Sequence, residues 1–431
     1  MKGTRRLVPS CVLPVALLLV SCQTKKADFP KSLQEQLIAA KPGNVIDLPE
    51  GKFHFEQTLS LMVDNVTIRG KGMDKTILSF AGQQGSGQGL LVKANGFTIE
   101  DVGIEDTAGD ALTVQGGGST IIRRVRTEWM RGPNEGNGPY GIYTVECKNL
   151  LLEDSVARGA ADAGIYVGQC ENAVIRRNRA EYNVDGYEIE NCENVDAYDN
   201  ISTHNVGGMG IFNLPNWQRQ GGKNIRIFNN QIVENNTANF APKSLGPIHS
   251  LPSGTGIYIM AIRDVELFHN KIQANNTTNV YIIHYETGVA EGVRETASSE
   301  PTRLIFVPVD KRFYPYTEQI FLHDNDISGG GSSPDMRLET VRKLTTFAGG
   351  KMPDIVYDGL VDSKWTQKGV NPGRICLKDN GNATFINFNL ASKTKHLDRD
   401  LKDYSCTLPA LSEVSLPQAG PGASTGAGSG K

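Results

Sequence analysis

The sequence predicts an all-β chain: a right-handed parallel β-helix of roughly ten coils with three short strands in each. Three observations carry that expectation. Gly141, Gly164 and Gly186 lie 23 and 22 residues apart, and each opens a short alternating strand closed six residues later by Cys147, Cys170 and Cys192. Asn149, Asn172 and Asn194 then begin a second strand ending at Ser155, Asn178 and Asn200, a step repeated from Asn224 to Asn230 and from Asp264 to Asn270. Asn183, Asn205, Asn235 and Asn275 follow, each five residues further on. Strands this short, broken by Asn and Gly at fixed offsets, read as laps of a coil rather than as separate hairpins. Equivalent residues of successive laps then stack at about the 4.8 Å strand spacing. Inward Asn side chains can bond their neighbours above and below, satisfying turn backbone that would otherwise be buried unpaired.

The elements follow in chain order. Lys2, Arg5 and Arg6 precede an apolar run from Val12 to Val20, too short to span a bilayer and suited to an export signal. It closes on Leu19-Val20-Ser21-Cys22, which resembles the lipobox of bacterial lipoproteins; that resemblance implies removal of residues 1–21 and lipid on Cys22, with residues 22–43 as anchor, tether and capping helix. Two or more acyl chains would hold the protein on a membrane, at about 0.8 kcal/mol per buried methylene. Leu33, Leu37 and Ile38 stand at helical spacing and the segment stops at Gly43, which reads as a helix covering the open end of the coil. Coils are expected over residues 44–331, interrupted by insertions at 129–140, 214–222, 237–255 and 286–317 that suit the walls of a groove or serve as decoration. From Ser332 the period fails, so residues 332–416 are expected to form a small C-terminal cap. There Cys376 and Cys406 are expected to pair in an oxidising compartment. The Gly, Ala, Ser and Pro of residues 417–431 read as a disordered tail.

The 431 residues carry 44 Lys and Arg against 47 Asp and Glu, and the net charge of −3 with no basic run leaves no footprint for nucleic acid. Function must therefore be sought on the surface of the coils.

In the first strand of each coil Ile165 and Val167 point inward, which turns Tyr166 and Gly168 outward. The same register gives an outer file of Leu91, Thr113, Tyr143, Tyr166, Glu188, Phe212, Tyr258 and Tyr281, beside Lys93, Gln115, Val145, Gly168, Glu190, Leu214 and Met260. Glu188 and Glu190 are thus expected to be exposed, with aromatic rings above and below. Flat rings suit the apolar faces of sugars, carboxylates accept from hydroxyls, and two carboxylates can act as acid and base. An outer tyrosine file can equally be cross-strand packing beneath the loops. Candidate cations are Lys93, Arg131 and Lys243. His284, opening the longest insertion, is the candidate general base, while His204 reads as a polar turn residue. His204, His249 and His284 show no metal-ligand spacing. Cys147, Cys170 and Cys192 share a slot that Ile262 fills in a later coil, which marks them as small buried hydrophobes.

The stretches "GIYVGQCENAVIRRN", "GYEIENCENVDAYDN" and "GIYIMAIRDVELFHN" resemble the β-helix repeats of pectate lyases, alginate epimerases and the periplasmic accessory protein of nitrous-oxide reductase maturation. Over residues 30 to 410 the chain is similar to a family of bacterial parallel β-helix lipoproteins, through "YNVDGYEIEN", "SGTGIYIMA", "DIVYDGLVD" and "RICLKDNGNATF". That resemblance implies a place in the cell envelope and a cytochrome-like exported partner, while Gln23 after Cys22 resembles the outer-membrane sorting signal of enteric-type bacteria. The Asp-Pro-His of alginate epimerases and the Gly-His-Gly of polygalacturonases are missing. Two functions are thus expected: binding of a polysaccharide, with lyase or epimerase chemistry if it is an enzyme and calcium if it is a lyase, or docking of an exported protein partner without catalysis.

Overall fold

The computed structural model describes residues 29–289, 310–365, 371, 373–391 and 396–417. The chain is a right-handed parallel β-helix: among the described residues one sheet of 11 strands forms a face of the coil, and one of 19 strands wraps the other two. Two faces merge into one sheet because the strands Phe97–Glu105 and Ser119–Glu128 run across the corner without a break. They bend there at Asp101 and Arg124, whose φ values are 63° and 51°. Asp154, Arg177, Asp199 and Asn229 make the corresponding bend in later coils, with φ of 54°, 54°, 55° and 56°. Asn149, Asn172, Asn194 and Asn224 make a left-handed bend at another corner, where the second strand of each coil begins, with φ of 52°, 57°, 60° and 59°. Asn accepts that region more readily than most side chains.

The inward asparagines form two files. Asn178 donates its backbone N–H and its amide to Asn200 Oδ1 at 3.0 and 3.1 Å, and Asn200 does the same to Asn230 at 2.9 and 3.0 Å. The file continues through Asn270 to Asn325 and Asn380. A second runs from Asn183 through Asn205 and Asn235 to Asn275. Between the files lies one continuous apolar core, which takes in Cys147, Cys170 and Cys192 as unpaired buried thiols and Ile262 in the same layer.

At the N-terminal end the helix Phe29–Ile38 buries Leu33 and Leu37, and Phe29 packs on Phe53 with ring centroids 4.3 Å apart. At the other end the expected separate cap gives way to further coils. Ile355–Tyr357 pairs with Val280–Ile282, Phe385–Asn387 pairs with Ile355–Tyr357, and Ile375–Lys378 pairs with Ile320–His323, all in parallel. The period is lost to the eye because residues 332–354, which contain the helix Glu339–Phe347, are inserted between rungs. Cys376 and Cys406 form a disulfide. The segment beyond it runs back over the 19-stranded sheet, where Leu411 and Val414 donate backbone N–H to Glu266 and Asp196 at 2.9 and 3.1 Å.

Candidate functional site

On the outer face of the 11-stranded sheet the first file is Leu91, Thr113, Tyr143, Tyr166, Glu188, Gly210, Tyr258 and Tyr281. The second is Lys93, Gln115, Val145, Gly168, Glu190, Phe212, Met260 and Ile283. Phe212 therefore stands in the second file, not the first, and Leu214 lies beyond the ladder. The sequence "GGMGIF" offers two glycines as equivalents of Gly186, and pairing of Met209 with Tyr187 selects Gly208. The corrected register places Gly210 next to Glu188. With no Cβ at Gly168 and Gly210, the rings of Tyr166 and Tyr258 lie over these two positions, where any added carbon would collide with the phenols.

Glu188 and Glu190 do point outward, but they are only 5% and 4% exposed, so the expectation of exposed carboxylates is corrected. The insertions fold back over the sheet: the 3₁₀ segment Lys243–Ser250 and the helix Glu339–Phe347 both contribute side chains above it. Tyr166, Phe212 and Tyr281 are buried as well, while Tyr143 and Tyr258 are half-buried.

Beneath this cover Asp162 and Asp185 join the two glutamates, and neither aspartate stands out in the sequence period. Tyr166 Oη donates to Glu190 Oε2 at 2.7 Å, and Tyr258 Oη donates to Asp185 Oδ2 at 2.8 Å. The Tyr140 phenol hydrogen-bonds Asp162. Burial, opposed by these phenols, pushes Asp162 and Glu190 up to about 7. Burial first, and then repulsion from the neighbouring carboxyls, also raises Glu188 and Asp185 well above the usual range. Trp217 helps hold the charged form of Glu190, yet Glu190 Oε1 has no well-formed hydrogen bond, nor do Asp185 Oδ1 and Tyr281 Oη. Asp162, Glu188, Glu190 and Tyr281 face a chamber of about 190 Å³ walled by Phe212, Met260, Ile248, Leu251, Val341 and Leu344.

Tyr140 also faces outward into a second and more open space, a cleft of about 580 Å³. Its floor is Leu91, Lys93, Thr113, Gln115, Tyr143 and Val145 from the two files, and its walls include Tyr140, Trp217 and Gln218 from the insertions. Tyr143 lies parallel to Tyr166 at 4.5 Å and tilted to Tyr140 at 4.8 Å, while Trp217 is 36% exposed. Asp110 opens onto the cleft, accepts from Gln88 at 3.2 Å and Thr113 at 3.1 Å, and is raised by burial. Gln115 donates to Glu146 at 3.1 Å. Among the described residues Lys93 is the cleft's only Lys, Arg or His.

The remaining candidates lie outside both spaces. Arg131 is exposed and bonds Asn137 and the Gly136 carbonyl within its own insertion, and Lys243 is exposed on the 3₁₀ segment. His284 is buried, its backbone N–H bonds Asp358 Oδ2 at 2.7 Å, its ring meets Tyr316, and burial lowers its pKa. His204 occupies a left-handed turn with φ of 57°. Cys22 and the expected export signal lie outside the described residues, as do residues 290–309 of the longest insertion. Among the described residues no three His, Cys, Asp or Glu side chains converge as metal ligands would, so no step is assigned to calcium.

Residues 88–288 match the model of the right handed beta helix region family. Among solved structures the chain is similar to a mannuronan C-5 epimerase A-module from Azotobacter vinelandii, at 18% identity and a TM-score of 0.48, covering 72% of this chain and 85% of that one. It is also similar to endopolygalacturonase I from Stereum purpureum, at 12% identity and 0.41, over 60% and 86%. An alginate lyase from Paenibacillus sp. is matched at 16% and 0.37, over 59% and 85%. At such identities and scores the likeness says nothing of reaction or substrate. No curated protein matches the sequence.

Proposed function

We propose that this chain is a polysaccharide-binding β-helix protein of the cell envelope, and that a saccharide chain lies in the cleft between Lys93 and Trp217. The cleft's composition carries this reading: the rings of Tyr140, Tyr143 and Trp217 stand beside Asp110, Gln115, Gln169 and Lys93. Aromatic faces take the apolar side of a pyranose, and the side-chain donors and acceptors meet its hydroxyls. Lys93 would face the carboxylate of a uronic acid. A proton-transfer step on the bound sugar falls to Asp110, which burial keeps more easily protonated than an ordinary aspartate. Glu188, Glu190 and His284 do not line the cleft and are not assigned to that step.

Export and anchorage at the outer membrane through lipid on Cys22 complete the proposal. The Cys376–Cys406 disulfide supports it, because such bonds persist in oxidising compartments. A panel of neutral and uronic oligosaccharides titrated into the mature protein tests the binding. The expected result is saturable binding weakened by Trp217→Ala, with Lys93→Ala weakening uronic ligands more than neutral ones. Failure of every glycan to bind would overturn the reading.

A further inference from the structure

The chamber behind Tyr140 differs from the cleft in chemistry and points to a second ligand. Three carboxyls line it, Asp162, Glu188 and Glu190, and among the described residues no Lys, Arg or His does. Asp185 lies close enough to Glu188 and Asp162 to repel both. A buried carboxylate is costly without a cation or several donors. Here the donors are three phenols and an indole, and Glu190 Oε1 and Tyr281 Oη remain unpartnered although their residues are 4% and 6% exposed. The rest of the wall is apolar, and half-buried Leu245, Ile248 and Leu338 form a rim open to solvent.

We propose that this chamber binds a small organic cation, an ammonium group carried on an aliphatic or aromatic body of about six to ten heavy atoms. The ammonium supplies the positive charge that the carboxyls lack, and donates to Glu190 Oε1 in a charge-assisted bond. The rings of Tyr140, Phe212 and Tyr258 line the chamber, aromatic rings attract cations, and Met260 and Leu344 beside them suit the carbon body. A carboxylate ligand would meet like charge. A sugar would leave hydroxyls unpaired against the apolar wall. The inference does not rest on the glycan reading: the two spaces share Tyr140 in their walls, and Trp217 of the cleft reaches Glu190, but the carboxyls proposed to meet the ammonium do not line the cleft.

Hexylammonium, 1-hexanol and hexanoate are nearly isosteric probes, to be titrated at pH 7.5 by calorimetry and thermal shift. Hexylammonium is expected to bind at least about tenfold more tightly than hexanol, with no binding of hexanoate. Glu188→Gln and Glu190→Gln should each weaken hexylammonium about tenfold while leaving hexanol unchanged. Equal affinity for hexanol and hexylammonium, no hexylammonium binding up to about 10 mM, or undiminished affinity in both variants would overturn the proposal. Should the variants fail to fold, the comparison of probes on the unaltered protein still decides it.

Discussion

Tyr166 on one coil gives its phenolic proton to Glu190 Oε2 on the next at 2.7 Å, across the place where Gly168 has no side chain. Three residues of two adjacent rungs thus set how the carboxyl cluster is held. Tyr166→Phe removes this hydrogen bond from a buried carboxyl whose other oxygen has none. Unfolding free energy at pH 8 should fall by about 1–3 kcal/mol, and by less at pH 5, where Glu190 is protonated with or without the phenol. Gly168→Ala should cost more, because its methyl group displaces the ring. Urea denaturation at the two pH values checks both.

The carboxyl cluster also makes stability depend on pH with an unusual sign. Asp162 and Glu190 hold protons up to about 7 in the fold, against about 4 in the unfolded chain. Between those values the folded state binds more protons, so their contribution is fully present below about pH 4 and is lost as pH rises towards 7. The paired acids Glu100, Glu105 and Glu181 are shifted down and act the other way, at lower pH. Stability should therefore decline by at least about 3 kcal/mol from pH 4.5 to pH 7.5, at about 1.4 kcal/mol per unit of pKa difference. In the Asp162→Asn/Glu190→Gln double variant the decline over that window should become shallower without vanishing, because Glu188 and Asp185 are also raised by burial.

The inward asparagines are expected to be among the least replaceable polar residues. Asn200 accepts from the backbone N–H of Asn178 and donates to the Ile175 carbonyl and to Asn230 Oδ1. Asn200→Ala strands these buried groups and should cost about 3 kcal/mol or more. Asn172→Ala, at a half-buried left-handed bend, removes two half-buried links, to Asn149 at 3.4 Å and from Asn194 at 3.1 Å, and adds backbone strain, for a cost of about 1 kcal/mol. Comparing the two variants by thermal denaturation separates a buried file from a corner bend.

The disulfide closes a loop of 30 residues around the last rungs. Replacing both Cys376 and Cys406 with Ser should lower stability by about 2–4 kcal/mol. Protection of backbone amides from hydrogen exchange should fall at Ile375–Lys378 and persist in the rungs around Asn178.

Much of this arrangement is legible in the sequence because the period and the chemistry coincide. Asn178, Asn200 and Asn230 recur at one offset, and that offset is where the coil needs a buried donor and acceptor. The outward direction of Tyr166, Glu188 and Glu190 follows from the same alternation. Their burial does not, since it is imposed by insertions whose path depends on tertiary packing. The register at Phe212 is ambiguous in "GGMG" because either glycine fits locally, and only the neighbouring rungs choose. Asp162, Asp185 and Trp217 obey no period, so nothing local marks them as part of one site. The rungs beyond Gly331 are hidden by the length of the insertion before Ile355.

The central functional claim rests on the cleft, and oligosaccharide binding by the mature protein tests it most directly, with Trp217→Ala and Tyr143→Ala measured in parallel. A saturable isotherm that weakens about tenfold or more in each variant, with each variant still folded at the assay temperature, is the predicted result. An isotherm unchanged in both variants, or none for any neutral or uronic glycan, would contradict the account.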